Sequence, residues 1–350
     1  MAITTLAVAF LVIGTVFSQQ APRYKLNLDL PPAKRWDSIL KHWNASELKA
    51  DLNSVMSSLV PEALIPVVEL VGENVEKYIP SPYGEEMVGV AQCLDMNVGD
   101  VVMLNLLYDM SAFCTSIVAQ DTHGQIWHGR NLDYRFTDIL RKLTFVYDAQ
   151  QNGKTVFTAT TFAGYIGVLT GMRPKSFSIS ADERDQGKIW QNLLEMINAL
   201  LTGEAYFVSF LVRETLTKTD NFEDAVKMLS TPQIIAPVYF IIGGVSPGEG
   251  AVVTRDRLQA RDVWRLDVKN GRWFLVETNY DHWVPPPKDD DRRDPANKAM
   301  NSIGQAAINA TMMYDKVLSV KPVLQSDSVY TTLMSAADPD IYKTVIRSNV

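Results

Sequence analysis

The spacing of hydrophobic residues changes abruptly at Phe113-Cys114, and this change constrains the fold more than any other feature of the 350-residue chain. From Asn44 to Tyr108, apolar residues recur three and four positions apart in SELKADLNSVMSSLV, ALIPVVELVGENVEKYI and GDVVMLNLLYDM, which predicts helices. Past Phe113 the texture is that of strands. CTSIVAQ and QIWHGRN flank the turn-like DTHG as a hairpin, and TFVYDA and KTVFTATTFAG flank QQNG as another. Residues 188–218 return to helical spacing, and VYFIIGG, AVVTRD, ARDVWRLD and WFLVETN read as late strands. The order helices, strands, helices, strands predicts an α+β fold with antiparallel sheets covered by helices. No linker rich in Gly, Pro or Ser divides the chain.

Residues 1–18, MAITTLAVAFLVIGTVFS, carry no charge and are too short to span a bilayer, which takes roughly 20 apolar residues. They read as a secretory signal peptide, with the small residues Val16 and Ser18 placing cleavage before Gln19. The sequons at Asn44 and Asn309 fit that route as glycosylation sites, and Asn44 has a second reading as a helix N-cap partnered by Glu47. A charge of −7 without a basic stripe argues against nucleic acid. With a sequence pI near 5.2, repulsion from anionic lipid would fade in an acid compartment. Cys93 and Cys114 are the only cysteines. They could pair, or one could be a buried apolar residue and the other a thiol with a task.

No HExxH, CxxC, P-loop or GxGxxG is present, so neither metal nor cofactor is expected. Gly244-Val-Ser246-Pro-Gly248 matches GxSxG, but Pro247 has no N–H to give an oxyanion hole, so the segment reads as a turn. His282, beside Trp283, reads as structural because no papain-like signature surrounds Cys114. If DTHG is a four-residue loop, Gln120 pairs with Gln125 and Cys114 lies opposite Asn131. Asp133 is then diagonal to the thiol on the same face, and Arg130 points to the other face unless a bulge re-aims it. On these residues alone, a core cysteine beside a surface Arg–Asp pair is an equal alternative.

FCTSIVAQDTHGQIWHGRNLDY, FAGYIGVLTG, SADERD, VYFIIGGVSPGEGAVVTRDR, ETNYDHW, DDRR and VYTTLMSA follow in that order. Together they resemble the acid-ceramidase-like branch of the cholylglycine-hydrolase-like N-terminal-nucleophile hydrolases, over nearly the whole chain past the signal. The resemblance implies an αββα sandwich of two antiparallel sheets between helical layers. It implies a precursor that cuts itself between Phe113 and Cys114, leaving an α-chain of residues 19–113 and a β-chain of residues 114–350 packed as one heterodimeric unit. It implies an acid-pH cysteine amidase in the lysosome lumen, in part secreted, that splits N-acylethanolamines such as N-palmitoylethanolamine into fatty acid and ethanolamine. Ceramide hydrolysis is the alternative within the family. A secreted lipid-binding glycoprotein with a vestigial site is the alternative of another class.

By the same resemblance, Arg130 and Asp133 orient the nucleophile and its amine, and Asn279 serves the oxyanion hole. Glu183 is the catalytic-site glutamate, and Arg292 is a second arginine singled out from an otherwise solvated KDDDRR run. Cys93 is then unpaired, and Leu169 stands where related amidases can carry tryptophan. The run IWQNLLEMINALL has Glu195 as its only charge. Trp190, Leu193, Leu194, Ile197 and Leu200 are therefore expected to rest on a lipid surface.

Overall fold

The computed structural model describes residues 19–59, 66, 70, 72–74, 78–108, 113–184, 202 and 205–348. The signal peptide and the proposed lipid-approach residues Trp190, Leu193, Leu194, Ile197 and Leu200 lie outside the described residues.

Fourteen strands form two sheets among the described residues. In chain order they are β1 (Gln19–Gln20), β2 (Arg23–Asn27), β3 (Phe113–Gln120), β4 (Ile126–Asp133), β5 (Thr144–Gln151), β6 (Lys154–Phe162) and β7 (Thr170–Arg173). There follow β8 (Phe177–Glu183), β9 (Val238–Gly243), β10 (Gly250–Arg255), β11 (Ala260–Arg265), β12 (Phe274–Glu277), β13 (Ser328–Met334) and β14 (Tyr342–Ile346). The six-stranded sheet runs β1-β14-β13-β4-β3-β12, and the eight-stranded sheet runs β11-β10-β9-β8-β7-β6-β5-β2. The strand pairs of both are antiparallel apart from β2 against β5. Helices Tyr83–Leu94, Val208–Lys218 and Phe222–Ser230 bury their apolar residues in a cluster with β5, β6, β8 and β9. On the far side, helix Arg293–Ile303 and the turns after it pack on β3, β4 and β12. The layers are therefore helix, sheet, sheet, helix, as expected.

The β3–β4 turn departs from the sequence reading in a way that matters for the site. Gln120 pairs with Ile126, so the loop is five residues long and not four. Asp121 causes this. Its Oδ1 accepts the N–H groups of both His123 and Gln125, each at 2.9 Å, which draws Gln125 into the turn. Gly124 closes the turn at φ +88°, a backbone region open to glycine. The register slips by one residue, and Cys114 faces Leu132 while Ser116 faces Arg130. Each side chain of β4 thereby changes sides relative to β3. Arg130 shares the thiol's face, and Asp133 takes the other. That corrects the placement expected for both.

The segment ahead of Cys114 is woven into the rest. β1 pairs with β14 at the edge of one sheet, and β2 lies beside β5 at the edge of the other. Glu86, on helix Tyr83–Leu94 and fully buried, accepts hydrogen bonds from Arg213 at 2.6 and 2.8 Å, from Arg35 at 2.8 Å and from Trp36 Nε1 at 2.7 Å. Burial pushes its carboxyl up, but the Arg213 charge and these donors reverse that and hold it below the usual range. Asn44 caps helix Ala45–Leu59 through Oδ1, and Asn309 caps the short helix Ala310–Met313 by accepting from the Met312 N–H. Both asparagines are exposed. Gly244–Gly248 forms the β9–β10 turn, with Ser246 N–H on Glu249. Among the described residues no single helix is long and apolar enough to cross a membrane.

Candidate active site

Cys114 is the second residue of β3 and lies between the two sheets with no exposed surface. Its sulfur is 2.6 Å from Arg130 Nη2. Arg130, also fully buried, crosses from the six-stranded sheet to the eight-stranded one. It donates there to Leu169 O at 2.9 Å, Thr170 Oγ1 at 2.5 Å and Ala181 O at 3.1 Å, with the Tyr330 ring 5.9 Å away. Those acceptors hold the guanidinium with Nη2 turned to the sulfur as well as to Ala181 O. Burial pushes the thiol up while the Arg130 charge draws it down.

The backbone of Cys114 is held as closely as its side chain. Its N–H donates to Asn279 Oδ1 at 2.9 Å, and its carbonyl accepts from Arg292 Nη1 at 2.5 Å. Asn279 follows β12, and its Nδ2 donates to Glu183 O at 2.7 Å. Arg292 Nη2 also reaches Asn279 Oδ1 and Asp290, each at 2.8 Å. Arg292 is fully buried and immediately precedes helix Arg293–Ile303, so it stands apart from a solvated charge run.

Asp133 is brought to the site from the opposite face of β4, at the position paired with Phe113. It lies 3.7 Å from Arg292 and accepts from Ser328 Oγ at 2.5 Å, so it acts on Cys114 through Arg292 and the backbone. Burial pushes its carboxyl up to about 7 against the pull of Arg292. Glu183 is half-buried and joins the site through its backbone carbonyl.

The carboxyl that lies against the thiol is its neighbour Asp182, which the sequence reading passed over. Asp182 is fully buried, hydrogen-bonds with Cys114, accepts from Ser116 Oγ at 2.9 Å and lies 3.8 Å from Arg130. Burial pushes it up to about 7, with Arg130 the main opposing influence. The signal was present in β8 as Ser178, Ser180 and Asp182, polar residues two apart that share one face of a buried strand. Cys93 is exposed, and neither Cys93 nor Cys114 is in a disulfide. His282 stacks on Trp264 with ring centroids 4.1 Å apart, as suits a structural residue. Leu169 is buried and gives its carbonyl to Arg130.

A buried thiol, a guanidinium in contact with it, and an amide at its nitrogen form a constellation for nucleophilic attack on an acyl carbon. A family model described as linear amide C–N hydrolases, choloylglycine hydrolase family, matches residues 114–312, beginning at this cysteine. One described as the beta subunit of N-acylethanolamine-hydrolyzing acid amidase matches residues 19–79. N-acylethanolamine-hydrolyzing acid amidase of Rattus norvegicus is 48% identical over 327 residues, covering 93% of this chain and 89% of its own. Acid ceramidase of Homo sapiens is 40% identical over 341 residues, covering 92% and 85%. The solved structure of a Caenorhabditis elegans N-acylethanolamine-hydrolyzing acid amidase ortholog superposes with a TM-score of 0.62 at 37% identity. That match covers 67% of this chain and 100% of the other.

Proposed function

The chain belongs to the linear amide C–N hydrolases of the choloylglycine hydrolase family, and from that premise we propose that it hydrolyses N-acylethanolamines to a free fatty acid and ethanolamine. As a family member it is an amidohydrolase with Cys114 in the nucleophile's place. The single observation that carries the reading is the Cys114 sulfur 2.6 Å from a fully buried arginine, at the residue where the family match begins. The relatives named as N-acylethanolamine-hydrolyzing acid amidases support the substrate class and an acid working pH.

In this reading the intact chain cuts itself between Phe113 and Cys114. The segment of residues 19–113 stays bound to residues 114–350 as a heterodimer. The new α-amine of Cys114, with a reference pKa of about 7.7 to 8.0, exchanges the thiol proton with the departing ethanolamine. Sulfur attacks the amide carbonyl, and Asn279 supports the charge that develops on its oxygen. Arg130 steadies the thiolate, and Arg292 with Asp133 fixes the Cys114 backbone. Glu183 holds the Asn279 amide through its backbone carbonyl. Water then releases the fatty acid. The signal peptide and the sequons Asn44 and Asn309 support a secretory route, and the lysosome lumen is the compartment this reading assigns. Residues 189–201 make peripheral contact with lipid.

The test is a side-by-side assay of N-palmitoylethanolamine and an N-acylsphingosine at pH 5 and pH 7, with purified wild type and Cys114→Ala. The ethanolamide should be the faster substrate, and Cys114→Ala should lose both activities. Faster ceramide turnover would favour the reading suggested by the acid ceramidase relatives. Activity retained without the sulfur would remove the enzyme reading.

A further inference from the structure

Residues 163–169, between β6 and β7, form a loop that is buried along its whole length. Loops ordinarily run over the surface, because buried backbone N–H and C=O groups must find partners. Here the partners come from inside. Tyr165 O and Gly167 O share the Thr161 hydroxyl at 3.2 and 3.3 Å, Val168 N–H donates to Ser209 O at 3.2 Å, and Ile166 O accepts from Arg213 at 3.1 Å. Two further groups are taken by one side chain from the segment ahead of Cys114. Asn105, on helix Val98–Tyr108 and fully buried, accepts from Ile166 N–H at 2.9 Å through Oδ1 and donates to Gly164 O at 3.3 Å through Nδ2. Nδ2 also donates to Val101 O at 2.9 Å, so both donors of the amide meet carbonyls and its orientation is set. Gly164 has φ +89°, and a Cβ there would lie 2.9 Å from Leu52, on helix Ala45–Leu59 of the same segment. The loop is thus seated against residues that precede the expected cut.

The far end of the loop meets the nucleophile's arginine. Leu169 O accepts from Arg130 Nη1 at 2.9 Å, and Oγ1 of the next residue, Thr170, accepts from the same nitrogen at 2.5 Å. Arg130 Nε has no nitrogen or oxygen partner among the described residues, so the two Nη atoms alone aim the guanidinium. Nη2 is the atom 2.6 Å from the sulfur. We propose that Asn105 is a positioning residue of the amidase: it sets the buried loop, and the end of that loop holds Arg130 against Cys114. This rests on the amidase reading given above. It gives the segment ahead of the cut a part in turnover as well as in the fold, through one side chain that touches neither the sulfur nor Arg130. A misplacement of about 1 Å at a reacting group, caused from a distance, costs on the order of 100-fold in rate.

The experiment compares turnover of N-palmitoylethanolamine by purified wild type, Asn105→Leu, Thr170→Val and the double variant, with kcat expressed per molecule in the wild type's processed form, counted by intact mass. Asn105→Leu keeps the branched shape of asparagine and removes its hydrogen bonds. Its kcat should fall by about 10- to 100-fold, with KM within about threefold of wild type. Thr170→Val should lower kcat as well. The fall in the double variant should be smaller than the product of the two single falls by about threefold or more, as for residues on one path. Processing slowed at an unchanged melting midpoint counts in favour too, because the same sulfur makes the cut. Should Asn105→Leu fail to fold, Asn105→Ser takes its place in the cycle. A lowered melting midpoint with kcat within threefold of wild type would mean a purely structural role and overturns the proposal. So does a raised KM with kcat intact, or effects that multiply in the double variant. A wild type that hydrolyses no fatty amide removes the amidase reading, and this one with it.

Discussion

At Cys114 the sulfur, the amide nitrogen and the carbonyl oxygen are each taken by a different buried side chain. Arg130 and Asp182 meet the sulfur, Asn279 the nitrogen and Arg292 the oxygen. Such a site is aligned before substrate arrives, which is how a buried nucleophile keeps its geometry. Asn279 offers a clean test at this scale. Asn279→Asp keeps an oxygen for the Cys114 nitrogen and Arg292 but loses the N–H donor that now serves Glu183 O. If that donor supports the oxyanion in turnover, kcat should fall by about 100-fold with KM nearly unchanged. A kcat within a few-fold of wild type would take Asn279 out of that role.

At the scale of elements, the buried charge cluster around Glu86 joins the helix Tyr83–Leu94 to Arg213 on helix Val208–Lys218, across the expected cut. Removing one partner leaves two arginines with an unpaired buried charge. Glu86→Ala should therefore cost about 3 to 5 kcal/mol in denaturant unfolding. A loss under about 1 kcal/mol would mean that the strand edges alone hold the segment. How legible the elements were follows from period and register. The strands β3 to β6 and β9 to β12 were readable because alternation and turn residues are local signals. The β3–β4 register was not, because one aspartate folds Gln125 into the turn by bonding two backbone N–H groups. That single residue put Arg130 on the wrong side of the sequence reading. Resemblance named Arg130, Asp133, Asn279 and Arg292, and the structure gathers all four. It named Glu183 where the carboxyl against sulfur is Asp182, since adjacent strand residues face opposite ways.

For the molecule as a whole, buried ionisable groups couple folding to pH in two opposing directions. Asp133 and Asp182 are pushed up to about 7 and Glu277 well above its usual value, chiefly by burial. In an unfolded chain these titrate near 4, so the native state holds extra protons between about 4 and 7. Their contribution rises as pH falls through that window. His128, pushed down to about 3, and His282, lowered by burial, act the other way below about 6.5. The carboxyls outnumber the histidines, so thermal unfolding at pH 5 should occur no lower than at pH 7. His128→Asn should steepen the gain on acidification. A midpoint that falls steadily from pH 7 to pH 5 would contradict this balance.

The central claim is that Cys114 becomes an N-terminal nucleophile inside a chain that stays in one piece by packing. It is tested most directly by intact mass and N-terminal sequencing of the purified protein before and after incubation at pH 5, with gel filtration alongside. The account calls for two chains, one beginning at Cys114, that elute together, and for a Cys114→Ala variant that stays whole. A wild-type chain that remains uncut while turning over N-acylethanolamine would contradict it.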